Sequence, residues 1–364
     1  MTRSTVEQAT YKLLIASLIA QVLVVSSHHF GMMVIEIGHP GAVRIASWIF
    51  RLVFGIGTVV FFVIAGYVFF NGFEKENAWV SKIKRRVRSL GVPYIIWNFI
   101  ASPWFTAMFL PLFATIMPWL GDPRPVDFVD VFFGKAPSYF PGNAPLWFLR
   151  ELFLVSLCSP LIWRLIRLRR GYLFVLACFV AWMAAFWSPW GWLECVAQAF
   201  FAFSLGGLWR IKGHSLFRFT PRAALWAMFA IVAMLAAEYI FALPANTFLG
   251  VKCVAGCVVV LGAAEWLSRT PAAYWLAWLG EASFFIYLTH IIGRREVSKL
   301  IISIIEPRTE LSAVLTMIAI LAVIFIYTIG AWALLRRFAP RLLAFLQGGR
   351  SPKLRLADTR AREV

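Results

Sequence analysis

Two adjacent histidines, His28 and His29, close the long apolar run KLLIASLIAQVLVVSSHHFGMM. An imidazole titrates near neutrality, so it can take the proton from a hydroxyl as that oxygen attacks a thioester carbonyl, the step that acyl transfer requires. Successive residues of a helix point about 100° apart, so at most one of the pair faces a given site squarely. A packed or interface-capping ring is the plainer reading of a lone histidine. A pair at the end of a first apolar span favours chemistry, because ionisable groups are expensive in hydrocarbon and mark function where they occur.

The segment KIKRRVRSLGVPYIIWN supplies a second group: Lys82, Lys84, Arg85, Arg86 and Arg88. Arg85 and Arg88 are three residues apart, so on a helix they share a face and can grip phosphate oxygens with forked, charge-assisted hydrogen bonds. The free backbone N–H groups of a helix start would serve the same anion. The cluster reads equally well as stop-transfer charge held by anionic lipid headgroups.

A third group is split between PLWFLREL, with Trp147, Arg150 and Glu151, and LGEASFFIYLTHI, with Ser283, Tyr287 and His290. Tyr287 and His290 lie one turn apart on one face. An interfacial ion network with belt aromatics accounts for the same residues without chemistry. Glu194, Glu238, Lys252, Glu265 and Arg51 are further charges in apolar stretches, with no partner legible in the sequence. The five cysteines also fall in apolar stretches and read as small core residues, with neither a disulfide nor a metal site expected.

The elements that must position these groups belong to a membrane protein. Of 364 residues, 61% are apolar and only 14% are charged, which lies outside the soluble range. A net charge of +18 would suggest a nucleic-acid partner in a soluble chain. Here the basic residues cluster between runs long enough to span a bilayer, so the expected partner is lipid and no nucleic acid is expected. Spans of roughly twenty residues are expected near 12–34, 48–72, 90–117, 146–166, 172–190, 193–209, 223–242, 247–268, 273–293 and 311–335. The fold class is therefore all-α and polytopic, with about ten transmembrane helices.

With the N-terminus inside, the outer segments keep only Arg44, Arg124, Lys135, Arg150, Arg294, Arg295, Lys299 and Arg308. Both termini are therefore expected to be cytoplasmic. The Pro- and Gly-rich stretch 118–145 is either an outward acceptor cleft or a plain connector with an amphipathic turn at Val129–Phe133. Residues 1–346 read as one transmembrane domain, and 347–364 as a basic, disordered tail at the inner surface. No small-residue cleavage motif follows the first run, so its removal as a signal peptide is not expected. No internal repeat points to a duplicated transporter.

Five of these elements, in order, resemble the acyltransferase-3 family of envelope proteins. They are VVSSHH, FFVIAGYVFF at 61–70, RRVRSLGVPYIIW at 85–97, LWFLREL at 146–152 and SFFIYLTH at 283–290. The resemblance implies transfer of an acyl group, most often acetyl, from acyl-CoA to a hydroxyl of a glycan or lipid-linked sugar, by a multi-pass protein of a bacterial inner membrane. It implies His28 as the essential histidine, placed by the preceding Val24-Val25 pair, with His29 close behind.

The same resemblance puts Arg85 and Arg88 on the coenzyme A phosphates, with Lys84 and Arg86 in the same cluster. Trp147, Arg150, Glu151, Tyr287 and His290 become candidates to hold the acceptor or the developing oxyanion. The sequence departs from the family pattern at Ser17 and Leu18, where an arginine is common, and at Ala65, where a serine is common. A secondary transporter, or a noncatalytic subunit of a polysaccharide assembly complex, is the competing expectation.

Overall fold

The computed structural model describes residues 3–102, 128–134 and 140–350. Among them every regular element is helical and none is a strand. In hydrocarbon each backbone polar group must be satisfied by the protein itself, which a helix does within its own segment.

Six helices are long and apolar enough to cross a membrane: Gln8–Glu36, Pro40–Phe69, Gly191–Ile211, Pro221–Ile240, Leu249–Leu267 and Glu310–Phe338. Two bent pairs, Ala144–Leu157 with Ser159–Ile166 and Ala273–Thr289 with Arg294–Ile305, raise the number to eight if each is one span. The expected fifth span is the shorter helix Gly171–Phe186 of 16 residues. The expected third enters as Val92–Ile100, and its continuation lies outside the described residues. So does most of the expected 118–145 connection, of which Phe128–Phe133 is a short helix.

Two spans that read as single runs are broken, and each break has a local cause. The fourth bends by 64° around Cys158, where Pro160 enters the next helix and cannot donate to the preceding turn. The ninth bends by 93° between Ala273–Thr289 and Arg294–Ile305, at Gly293, whose φ is +73°. Short of that bend it is also interrupted at Glu281 and Ala282.

Lipid provides no hydrophobic drive between helices, so close packing depends on small side chains. The first helix, Arg3–Glu36, is gripped from two sides in this way. A Cβ on Gly57 would lie 2.4 Å from the Ala20 carbonyl oxygen, and one on Gly280 would lie 2.3 Å from that of Leu14. Ile56–Phe69 and Gly191–Ile211 meet still more tightly, through Gly66 against the Phe203 carbonyl and Gly206 against the Val63 carbonyl, each at 2.0 Å from a hypothetical Cβ.

Four of the five charges in apolar stretches also find partners. Lys12 and Arg269 converge on Glu265 at 2.7 and 2.5 Å. Lys252 donates to the Arg51 carbonyl. Glu194 accepts from Trp182 Nε1 at 3.2 Å, and Glu238 accepts from the Phe248 amide at 3.2 Å. All five cysteines are free thiols.

Candidate active site

The two histidines at the far end of the first helix face different neighbours. His29 is fully buried and its Nε2 donates to the Met317 carbonyl of Glu310–Phe338 at 2.9 Å. His28 is half-buried and turns to the ninth span, where its ring lies 5.4 Å from that of His290. No hydrogen-bond partner for either ring nitrogen of His28 occurs among the described residues.

His290 is held in a defined tautomer. Its Nδ1 lies 3.1 and 3.0 Å from the carbonyls of Ile286 and Tyr287, so that nitrogen carries the proton and donates. Nε2 is left as a buried lone pair without a partner among the described residues. The broken end of the helix is itself fastened: the Tyr327 hydroxyl donates to the Ile292 carbonyl at 2.9 Å, and Arg294 pairs with Glu36 at 2.7 Å. Asn143 ties a third segment to the same place, donating from Nδ2 to the Leu288 carbonyl at 3.1 Å and from its amide to Asn98 Oδ1 at 3.0 Å.

Tyr287 links this imidazole pair to a cavity of about 520 Å³. Its ring is 6.5 Å from that of His290, and its side chain lines the cavity with Ser283, Phe284 and Phe148. The tyrosine hydroxyl donates to the Pro145 carbonyl at 2.5 Å, while the buried Ser283 hydroxyl has no partner among the described residues. Leu14 and Ser17 bring the first helix into the wall, and Ile64, Ala65 and Val68 bring the second span. Both of the wall positions Ser17 and Ala65 are departures noted in the sequence.

The basic side of the cavity carries Arg86 and Arg350. Its one carboxylate among the described residues, Glu281, is paired with Arg336 at 2.7 Å. His28 lies about 16 Å beyond Ser17 along the helix and does not line the cavity; Tyr287 and His290 stand between. Loss of the tyrosine hydroxyl removes a buried hydrogen bond to the Pro145 carbonyl, so Tyr287→Phe is expected to destabilise the fold by about 1 kcal/mol. Thermal unfolding in detergent checks this, and an unchanged Tm would show that the bond contributes nothing.

The structure thus brings together His28, Tyr287 and His290, with Ser283, and separates the remaining candidates from them. Arg85 and Arg88 are exposed and do not line the cavity, and Lys84 is exposed as well. Arg86 is the residue of that cluster that faces inward, its guanidinium 5.4 Å from the Phe69 ring centre. The reason is local: Ala78–Arg86 gives way to a π turn at Val87–Gly91 ahead of Pro93, so an α-helical spacing rule does not carry across Arg88. Trp147 packs on Phe62, and Arg150 pairs with Glu151 at 2.9 Å and donates to the Phe133 carbonyl at 3.3 Å. None of these three lines the cavity.

Sequence reasoning missed Glu281, Gln347 and Arg350 as cavity residues. The one signal for Arg350 is the Gly348-Gly349 pair before it, which marks a turn rather than a free tail. Gln347 is buried and Arg350 half-buried, so the polar segment expected to leave the bundle at Gln347 stays packed through Arg350; residues 351–364 lie outside the described residues.

A family model described as an acyltransferase domain, Acyl_transf_3, matches residues 18–337. The chain belongs to the acyltransferase-3 family. It is accordingly a multi-pass membrane protein and an acyltransferase. The succinoglycan biosynthesis protein ExoH of Rhizobium meliloti (strain 1021) is 28% identical to it over 330 residues, covering 84% of this chain and 82% of that protein. No solved structure matches the chain. The family match begins inside the first helix and ends one residue before its long C-terminal helix does, so it takes in both imidazoles of the site but stops short of Arg350.

Proposed function

We propose that this acyltransferase moves an acyl group, most simply acetyl, from cytoplasmic acyl-CoA to a hydroxyl of an envelope polysaccharide or its lipid-linked precursor. It does so in a bacterial inner membrane, as ten spans with both termini inside. The observation that carries the reading is one cavity with a pair of guanidiniums among its lining groups and, at Tyr287, a wall shared with the His28–His290 pair. The polysaccharide acceptor is suggested by the resemblance to ExoH, a succinoglycan biosynthesis protein.

In this mechanism the anionic end of the donor stays with the arginines and its acyl-bearing arm runs through the largely apolar cavity toward Tyr287. His28 takes the proton of the acceptor hydroxyl as that oxygen bonds to the thioester carbon. The carbonyl becomes a tetrahedral oxyanion, for which the unpartnered Ser283 hydroxyl is a donor. Collapse breaks the carbon–sulfur bond, and the departing thiolate recovers the proton from the imidazolium. His290, with its proton fixed on Nδ1, offers Nε2 to orient His28. His29 is a positioning group through Met317. Lys84, Arg85 and Arg88 add positive potential that draws the donor to the inner face. Arg150, paired with Glu151 and one turn from Trp147, touches segment 128–134, where an acceptor sugar would enter.

The test is transfer of label from [¹⁴C]acetyl-CoA into polysaccharide by membranes that contain the protein, with the ester resonance followed by NMR. Labelled, base-labile ester that is absent without the protein is the expected result. Absence of label together with an unchanged polysaccharide spectrum would overturn the reading, and loss of product with a protonophore but not with acyl-CoA depletion would favour transport.

A further inference from the structure

The last described residues do not trail from the bundle. After the short helix Pro340–Leu346, the Leu346 carbonyl accepts from Trp97 Nε1 at 3.0 Å, and the chain then turns back on itself through Gly348 and Gly349. These have φ of +67° and +84°, a region that side chains rarely adopt. They also pass against the polypeptide of the basic segment: a Cβ on Gly348 would lie 2.5 Å from the Arg88 carbonyl oxygen, and one on Gly349 would lie 2.9 Å from Arg88 Nε. Two consecutive glycines therefore allow the chain to dock where a side chain at Gly348 would meet backbone and one at either position would be strained.

The result of this docking is the position of Arg350. Its Nη1 donates to the carbonyls of Ser89 at 2.8 Å and Gln347 at 3.1 Å, and its guanidinium lies 3.6 Å from the centre of the Phe284 ring. A guanidinium has five N–H donors, so Nε and Nη2 keep three that these bonds do not use. Arg86 lines the same cavity, and neither arginine has a carboxylate partner among the described residues. Burial and then the Arg86 charge lower Arg350 to about 9. Two partly desolvated cations held together without a counter-ion repel, and an anion between them removes both the repulsion and the unmet donors.

We infer that Arg350 and Arg86, brought together by the glycine turn of the C-terminal segment, form a two-guanidinium clamp for a phosphate or diphosphate group at the cytoplasmic end of the cavity. Its assignment to the coenzyme A moiety rests on the proposed function. The clamp itself rests on the geometry, and an anionic lipid headgroup offers the same chemistry. The clamp makes the C-terminal segment part of the donor site and gives Arg86 a partner outside its own cluster.

Calorimetric titration of coenzyme A and of inorganic pyrophosphate into protein in phosphatidylcholine nanodiscs tests it. Arg350→Gln and Arg86→Gln are each expected to weaken both ligands at least tenfold. Arg350→Lys, which keeps the charge but loses the fork, should recover only part of the loss and controls for folding. If Arg350→Gln and Arg86→Gln each bind both ligands within twofold of the unchanged protein, the clamp is overturned. It is also overturned if no phosphate ligand binds and no phosphatidylglycerol is retained, by native mass spectrometry, in an arginine-dependent way. Arginine-dependent retention of phosphatidylglycerol without coenzyme A binding supports the clamp and makes its occupant a lipid. Arginine-dependent coenzyme A binding without acyl transfer also supports the clamp while the proposed function fails.

Discussion

His28→Ala is expected to lower acyl transfer by about 10² to 10⁴-fold, the usual contribution of a positioned general base. Donor binding should be almost unchanged, because the arginines of the cavity lie on other segments, beyond Tyr287. The loss should therefore fall on kcat rather than on KM for acyl-CoA, which initial-rate kinetics on reconstituted protein would show. The neighbouring substitution separates the two rings. His29→Ala deletes a buried hydrogen bond to the Met317 carbonyl and empties the space of a fully buried ring, so it should lower stability by about 1–3 kcal/mol and leave substantial transfer in the protein that folds. A complete loss of transfer in well-folded His29→Ala with near-normal transfer in His28→Ala would reverse the assignment of the base.

Gly66→Val or Gly206→Val is expected to prevent accumulation of folded protein. A Cβ at either position would meet a backbone oxygen at 2.0 Å, and the two contacts are reciprocal across one crossing, Gly66 on Phe203 and Gly206 on Val63. Overpacking by flexible side chains costs about 1–3 kcal/mol where neighbours can shift, but a carbonyl within a helix cannot rotate away without losing its own hydrogen bond. The helices must separate, and the second-span wall of the cavity at Phe61, Ile64, Ala65 and Val68 would move with them. Gly330→Ala is the control, since nothing lies within 4 Å of its hypothetical Cβ and alanine is the better helix former by about 1 kcal/mol. Detergent-solubilised yield by fluorescence-detected size exclusion measures the difference. Monodisperse Gly66→Val and Gly206→Val at wild-type yield would show that the crossing is looser than described.

Much of the architecture was legible because lipid imposes a simple rule. The runs at 193–209, 223–242, 247–268 and 311–335 correspond to Gly191–Ile211, Pro221–Ile240, Leu249–Leu267 and Glu310–Phe338, within a few residues at each end. The breaks were not read, although Pro160 and Gly293 stood in plain view, because hydropathy measures length and apolarity and is blind to direction.

At the site, the histidine pair, Tyr287 and His290 could be nominated from type and spacing. That His28 and His290 meet, and that His29 faces Met317 instead, depends on how three helices are rotated about their axes, which no single segment encodes. The basic cluster shows the same limit. A spacing of three residues placed Arg85 and Arg88 on one face, but the π turn after Arg86 changes the rotation, and the inward-facing residue is Arg86. Its partner Arg350 comes from a segment more than two hundred and fifty residues away in the chain, beyond the reach of any local pattern.

The glycine grip on the first helix has a mechanical meaning. With the Leu14 and Ala20 carbonyls seated against Gly280 and Gly57, that rod can neither slide like a piston nor spin on its axis without collision. The imidazole near its end is in effect an anvil at a set depth, fixed by protein backbone and indifferent to the thickness of the surrounding lipid. Any motion during turnover falls to the jointed ninth span and its tyrosine.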